Sequence, residues 1–224
     1  MRLSDLGDLL EEIPSMSKKI ERRQSIIQAA IGVFGKGNFR NSSISEIAQR
    51  ANVAEGTIYQ YFKNKEDLFF SIPVEKTIEF CRELDLHLEG ISGAFNKIKK
   101  FIWYYLYFFK MNPEYGKILL LEMRVNKSFV KTKTYNSFRK STSQILEIIR
   151  EGQEEGIIRK DVNIYIIRQL ILGMLEHIVT RWLLKGEKYD LMQHYDQVNE
   201  LVFYGMSCSR GSQRHEWLSH GSRK

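Results

Sequence analysis

Ser42-Ser43-Ile44-Ser45-Glu46-Ile47-Ala48-Gln49-Arg50-Ala51-Asn52-Val53-Ala54-Glu55-Gly56-Thr57-Ile58-Tyr59-Gln60-Tyr61-Phe62-Lys63-Asn64-Lys65 reads as two short helices joined by a tight turn. The first starts at a serine cap, Ser42 or Ser43, and Glu46 stands three residues beyond Ser43 as the partner of a capping box. Ile44, Ile47, Ala48 and Ala51 then share one helical face. Asn52 ends the helix, because asparagine enters the left-handed region at low cost, and Val53 follows as an apolar plug. The second helix is expected over about 54–61, with Ile58 and Phe62 inward. Two helices joined in this way form a helix-turn-helix, whose second helix enters the DNA major groove. Periodicity alone also fits any helical hairpin of an all-α protein.

The wider pattern is more specific. Gly37-x-Phe39-x-x-Ser42-Ser43-x-x-x-Ile47-Ala48-x-x-Ala51-x-Val53-x-x-Gly56-Thr57-x-Tyr59-x-Tyr61-Phe62-x-x-Lys65-x-x-Leu68 resembles the signature of the tetracycline-repressor (TetR) family. Ser42-Ser43 stands where Thr-Thr is commoner and Asn52 where Gly is commoner; each keeps the physical role. The resemblance implies an all-α chain of about nine helices. A three-helix DNA-binding domain would come first, and a helical ligand-binding and dimerisation domain would follow.

The candidate contacts follow from residue chemistry and from this resemblance. Ser43 caps a helix N-terminus, where free N–H groups and the helix dipole favour a phosphate oxygen. Thr57, Tyr59 and Tyr61 offer hydroxyls to phosphates, as similar positions do in the family, and Gly56 allows close backbone approach. Lys65 can meet a phosphate as a point charge. Gln60 and Glu55 are the candidates for base edges, although Glu55 equally suits a solvated first turn. Lys18 and Lys19, with Arg22 and Arg23, form a basic cluster entering helix 1, which the family's layout puts beside the DNA backbone. Ile26, Ile27, Ala30, Val33 and Phe34 are the core stripe of that helix, and Gly35 and Gly37 end it.

Composition agrees with a polyanionic partner. The chain has 224 residues, a net charge of +7 and 43% hydrophobic residues, with only 3 Pro. Residues 17–68 hold nine Lys/Arg against five Asp/Glu, whereas residues 1–16 hold one Arg against four acids. The reading places an N-terminal extension at 1–16, the DNA-binding domain at 17–70, the ligand and dimer domain at 71–206 and a disordered tail at 207–224. Cys81 and Cys208 are distant and lack CxxC spacing, so both are expected as free thiols in a reducing cytoplasm. No apolar run reaches about 18 residues, so no membrane span is expected.

Beyond residue 65 the chain alternates helices and punctuation. Helix 4 is expected over 65–88, with Pro73 inside it and Leu68, Phe69, Ile72, Ile78 and Leu84 apolar. In Phe101-Ile102-Trp103-Tyr104-Tyr105-Leu106-Tyr107-Phe108-Phe109, seven of nine residues are aromatic. This segment is either core or the wall of an apolar ligand cavity, with Trp103, Tyr104, Tyr107, Phe108, Met123, Phe138 and His177 as candidate lining. His177 equally suits a buried structural role. Asn112-Pro113 breaks the chain, a long helix is expected over 128–155, and Asp161 is expected to cap the next, over 162–185. With the final helix, over 190–206, it is expected to form a four-helix dimer interface through Ile171, Gly173, Leu175, Ile178, Val198, Leu201 and Val202.

A second resemblance is more diffuse. Glu151-Gly152-Gln153-x-x-Gly156-x-x-Arg159, Gly173-x-Leu175-x-His177-x-x-x-x-Trp182 and Lys188-Tyr189-Asp190-Leu191 are similar to the family branch that represses fatty-acid degradation genes and is released by acyl-CoA. The expectation is a homodimeric repressor on a palindromic DNA operator, released by a long acyl-CoA or similar apolar effector. A drug-responsive regulator of an efflux pump and a lipid carrier remain as alternatives. GxSxG, HExxH and a Gly-rich phosphate loop are absent, so no enzyme, cofactor or metal is expected.

Overall fold

The computed structural model describes residues 3–124, 126–130 and 143–207, with side chains described from residue 17 onward except at 128, 130 and 143. The elements are α1 (Leu3–Gly37), α2 (Ile44–Ala51), α3 (Glu55–Tyr59), α4 (Lys65–Leu88) and α5 (Ala94–Met111). Next come α6 (Pro113–Gly116), running on as a π-helix (Lys117–Met123), and α7 (Lys127–Val130). The chain closes with α8 (Ser143–Glu154), α9 (Ile164–Leu184), a 3₁₀ turn (Leu191–His194) and α10 (Tyr195–Met206). Among the described residues there is no strand, only an isolated antiparallel bridge between Ile158 and Ser207.

Two compact units divide the chain: Met1–Lys76 with Pro113–Asn136, and Thr77–Asn112 with Ser137–Lys224. The unit that holds the helix-turn-helix runs to Lys76, and the segment following α5 belongs to it. α1 is helical from Leu3, so the expected extension is the start of helix 1 rather than a separate piece.

The first unit is built on the helix 1 stripe. Ile26, Ile27, Ala30 and Phe34 are buried with Ile47 and Ala48 of α2, Ile58 of α3, Phe62, and Leu68, Phe69 and Ile72 of α4. Phe34 meets Phe69 edge-on at 5.2 Å, and Phe39 lies 4.7 Å from the same ring. Each such large apolar side chain contributes roughly 1.5–3 kcal/mol on burial. α1 is closed by Asn38, at φ 66°, whose N–H donates to the Phe34 carbonyl at 2.8 Å. Gly35 has another cause: a Cβ there would come within 2.4 Å of the Glu114 Cβ, so α6 crosses α1 only where a side chain is missing.

In the second unit α5 is the central helix and packs against α8, α9 and α10. Its Phe101, Ile102, Tyr104, Tyr105, Leu106, Phe108 and Phe109 are buried. The first motif of the second resemblance frames the joint between α8 and α9. Glu151 pairs with Lys97 at 2.7 Å, and Gly152 leaves room for Ile158, whose Cδ1 would lie 2.4 Å from a Cβ. Gln153 donates to the carbonyls of Arg159 and Val162 at 2.9 Å, and Gly156 turns the chain at φ 76°. Trp182 donates to the Tyr189 carbonyl at 2.8 Å.

Several local expectations shift. Asn163, not Asp161, caps α9, accepting from the Tyr165 N–H at 2.8 Å, while Asp161 pairs with Arg159. Ile78 is 60% exposed rather than buried, since it lies off the face of α4 that carries Leu84. The long helix expected over 128–155 is seen as α7 and α8; residues 131–142, Cys208 and the expected tail from 208 onward lie outside the described residues.

Candidate DNA-binding site

The capping box closes as the residue types require. Ser43 is extended at φ −118°, its hydroxyl accepts from the Glu46 N–H at 3.1 Å, and its own N–H donates to the Glu46 carboxylate at 2.7 Å. Asn52 is left-handed at φ 52° and ψ 52°, and the Val53 N–H returns to the Ala48 carbonyl at 3.0 Å. That turn sets α3 across α2. α3 is shorter than expected, starting at Glu55 with Ala54 as a cap that lends no side-chain bond, and Ile58 anchors it to the core.

With Ile58 inward, Glu55, Gly56, Tyr59 and Gln60 are exposed, and Thr57 and Tyr61 are half-buried. Gly56 is informative. It is helical, it is not among the left-handed glycines, and a Cβ there would meet nothing within 4 Å. Nothing inside the chain calls for glycine at this position.

Lys18, Lys19, Glu21, Arg22 and Ser25 of α1 line an open hollow of about 690 Å³ together with Gln60 and Tyr61. The far end of α3 and the basic start of α1 thus share one surface, with three cations against one carboxylate. Ser25 joins the expected basic cluster on this surface. The spacing of Arg22 and Ser25 from Lys18, four and seven residues on, puts all three on one helical face. Arg23, the fourth member of the basic cluster, is instead structural. It pairs with Glu75 and lies 5.3 Å from the Phe62 ring centre. Burial pushes its pKa down, opposed by the charge of Asp67.

Lys65 also has partners inside the chain. Its ammonium donates to the carbonyls of Phe39 and Ser42, both at 2.7 Å, and lies 4.5 Å above the Phe39 ring. Two of its three donors therefore hold the loop that leads into α2. Lys65 places the capped N-terminus of α2, and a phosphate would compete for what remains.

The predicted pocket residues differ in their immediate surroundings. Tyr104 and Phe108 are buried against Phe80 of α4, at 5.0 and 5.1 Å between rings. Trp103 and Tyr107 instead stack on each other at 5.0 Å with Lys100 above Trp103, and Tyr107 is 38% exposed. Burial, then Glu83 and Glu79, raise the Tyr104 pKa, so that phenol stays protonated. Met123 is buried in the first unit, Phe138 lies outside the described residues, and His177 is exposed rather than buried. The buried structural role expected for His177 therefore does not hold, since its side chain is exposed.

The expected interface residues divide as well. Ile171, Leu175, Val198 and Val202 are buried within the chain itself, and Ile178 is half-buried. Gly173 and Leu201 are exposed, and beside them stand Ile166, Leu170 and Tyr204, each more than half exposed. No helix among the described residues is long and apolar enough to cross a membrane.

Comparison with known proteins identifies the family. Residues 26–72 match the bacterial regulatory proteins of the tetR family, and residues 74–205 match the C-terminal region of YsiA-like proteins. The fatty acid metabolism regulator protein of Bacillus subtilis is 31% identical over 192 residues, which span 85% of this chain and 98% of that one. The structure of FadR from Bacillus subtilis in complex with stearoyl-CoA is similar at a TM-score of 0.75 and 32% identity, covering 81% of this chain and 98% of that chain. The fatty acid degradation regulator FadR from Bacillus halodurans is similar at a TM-score of 0.77 and 28% identity, covering 82% and 95%. These relatives are regulators, not enzymes, and the chain belongs to the tetR family of bacterial regulatory proteins, as a helix-turn-helix transcriptional regulator.

Proposed function

We propose that this regulator is a cytoplasmic, homodimeric repressor of fatty-acid metabolism genes, released from a palindromic operator by a long acyl-CoA. The observation that carries the effector is the 32% identity, over 98% of its chain, to a FadR held with stearoyl-CoA. The aromatic α5, apolar on most of its surface, suits a long acyl chain.

The dimer rests on the exposed apolar stripe. Ile166, Leu170 and Gly173 recur at helical spacing along α9, and Leu201 and Tyr204 stand on α10. A Cβ on Gly173 would meet nothing in its own chain, so a second helix coming close is what would use the gap. Two-fold pairing presents two recognition helices to half-sites about 34–36 Å apart.

Release is a population shift. The effector binds best to the state in which the two heads are wrongly spaced, and α4 is the natural lever, since it contributes residues to both units. A hundredfold loss of operator affinity requires a preference of roughly 2.7 kcal/mol for that state, and the operator weakens the effector by the same factor. The test is titration of acyl-CoAs of increasing chain length into the protein–operator complex. Release that strengthens with chain length supports the reading. Release by aromatic cationic drugs and by no acyl-CoA would replace it with an efflux regulator.

A further inference from the structure

Phe39 is the residue on which the entrance to α2 turns. Its carbonyl accepts from Lys65, its ring packs against those of Phe34 and Phe69, and its N–H donates to the Glu122 carboxylate at 2.9 Å. The first two sets of partners belong to the DNA-binding sequence itself. Glu122 does not: it is 83 residues away, on the π-helix Lys117–Met123. That π-helix packs on α1, with Ile118, Leu119, Leu120 and Met123 buried. Its i→i−5 register persists to Arg124, whose N–H donates to the Leu119 carbonyl at 3.1 Å. π-Helical turns are rare and occur frequently at functional sites.

We propose that Glu122 is a positioning residue for operator binding. The register of the π-helix directs its carboxylate to the Phe39 amide, and the α1–α2 loop is thereby held between an anion from the π-helix and the Lys65 cation from α4. Ser42 closes the same loop, donating to the Asn38 carbonyl at 2.6 Å, one residue before the Ser43 cap. A shift of this loop moves the start of α2, and α2 carries α3. The DNA-reading head is in this sense incomplete without a residue from beyond α5. The proposal rests on the helix-turn-helix as the operator-binding element; wild-type protein that selects no duplex from a random pool would remove that basis separately.

The test uses the full chain and a duplex selected by the wild-type protein. Glu122→Asp keeps the charge but withdraws the oxygens by one methylene; Glu122→Gln keeps the reach and an acceptor oxygen without the charge. A charge-assisted bond of this kind supports an expected fall in operator affinity of roughly tenfold for Glu122→Ala and Glu122→Asp. Hydrogen exchange at the Phe39 amide should accelerate in the same two variants. Glu122→Gln should stay within a few-fold of wild type in both measurements, a rescue that loss of general stability would not produce. The Gln variant is nearly isosteric, so it reports even if Glu122→Ala fails to fold. Wild-type affinity in Glu122→Asp with a deprotected Phe39 amide overturns the proposal, as does a Gln variant that binds as weakly as Ala.

Discussion

Replacing Lys65 by methionine separates two roles that one lysine could play. Methionine keeps most of the stem and removes the ammonium. The Phe39 and Ser42 carbonyls, each 2.7 Å from Nζ, lose their donor, and the ring of Phe39 loses a cation 4.5 Å away. Hydrogen bonds to charged groups contribute about 1.5–3 kcal/mol, and an exposed cation–π contact about 0.5–1 kcal/mol. Lys65 is half-buried, so water replaces part of what is lost, and the low end of the range applies. The net destabilisation is about 3.5 kcal/mol, which for a chain of this length lowers Tm by roughly 7–14 °C. The assay is thermal unfolding of free protein, followed by operator binding across a salt series. A phosphate clamp predicts the reverse pattern: unchanged Tm, weaker binding on every sequence and a salt slope smaller by about one. An unchanged Tm would therefore refute the assignment of Lys65 as the staple of the α1–α2 loop.

Other outcomes follow from the same surfaces. Gly56→Ala should raise the stability of the free protein by up to about 1 kcal/mol, because alanine favours a helix and its Cβ has open space. It should nonetheless weaken operator binding; a variant that gains stability and binds normally would show that no backbone approach occurs there. Lys18→Ala and Arg22→Ala should each reduce the salt slope of binding by about one without altering base preference, measured by fluorescence anisotropy from 50 to 200 mM salt. Gln60→Ala should change preference at one base pair in a selection experiment. Leu201→Glu, at a position 66% exposed, should leave the fold intact and yield monomers by light scattering that lose the operator; Val202→Glu, 1% exposed, should unfold the chain instead.

What the sequence determined by itself is local. The capping box of Ser43 and Glu46, the left-handed Asn52 and the span of α4 all follow from short-range rules of hydrogen bonding and backbone sterics. The Ile26–Phe34 stripe was legible for a related reason, since polar residues mark the opposite face of α1 and so give the helix a phase. α9 has no such phase: Ile166, Ile167, Leu170 and Ile171 are all apolar, yet two are buried and two exposed. Periodicity cannot choose among them, because burial depends on which side of the helix finds a neighbour. That also decided Val198 and Val202, expected at the interface and found in the core. Only the tertiary structure shows Arg23 paired with Glu75 and Lys65 bonded to two backbone carbonyls. It alone brought Glu122 to the Phe39 amide. A charged side chain carries no mark of its partner, and when that partner is a peptide group tens of residues away, only the folded chain brings the two together.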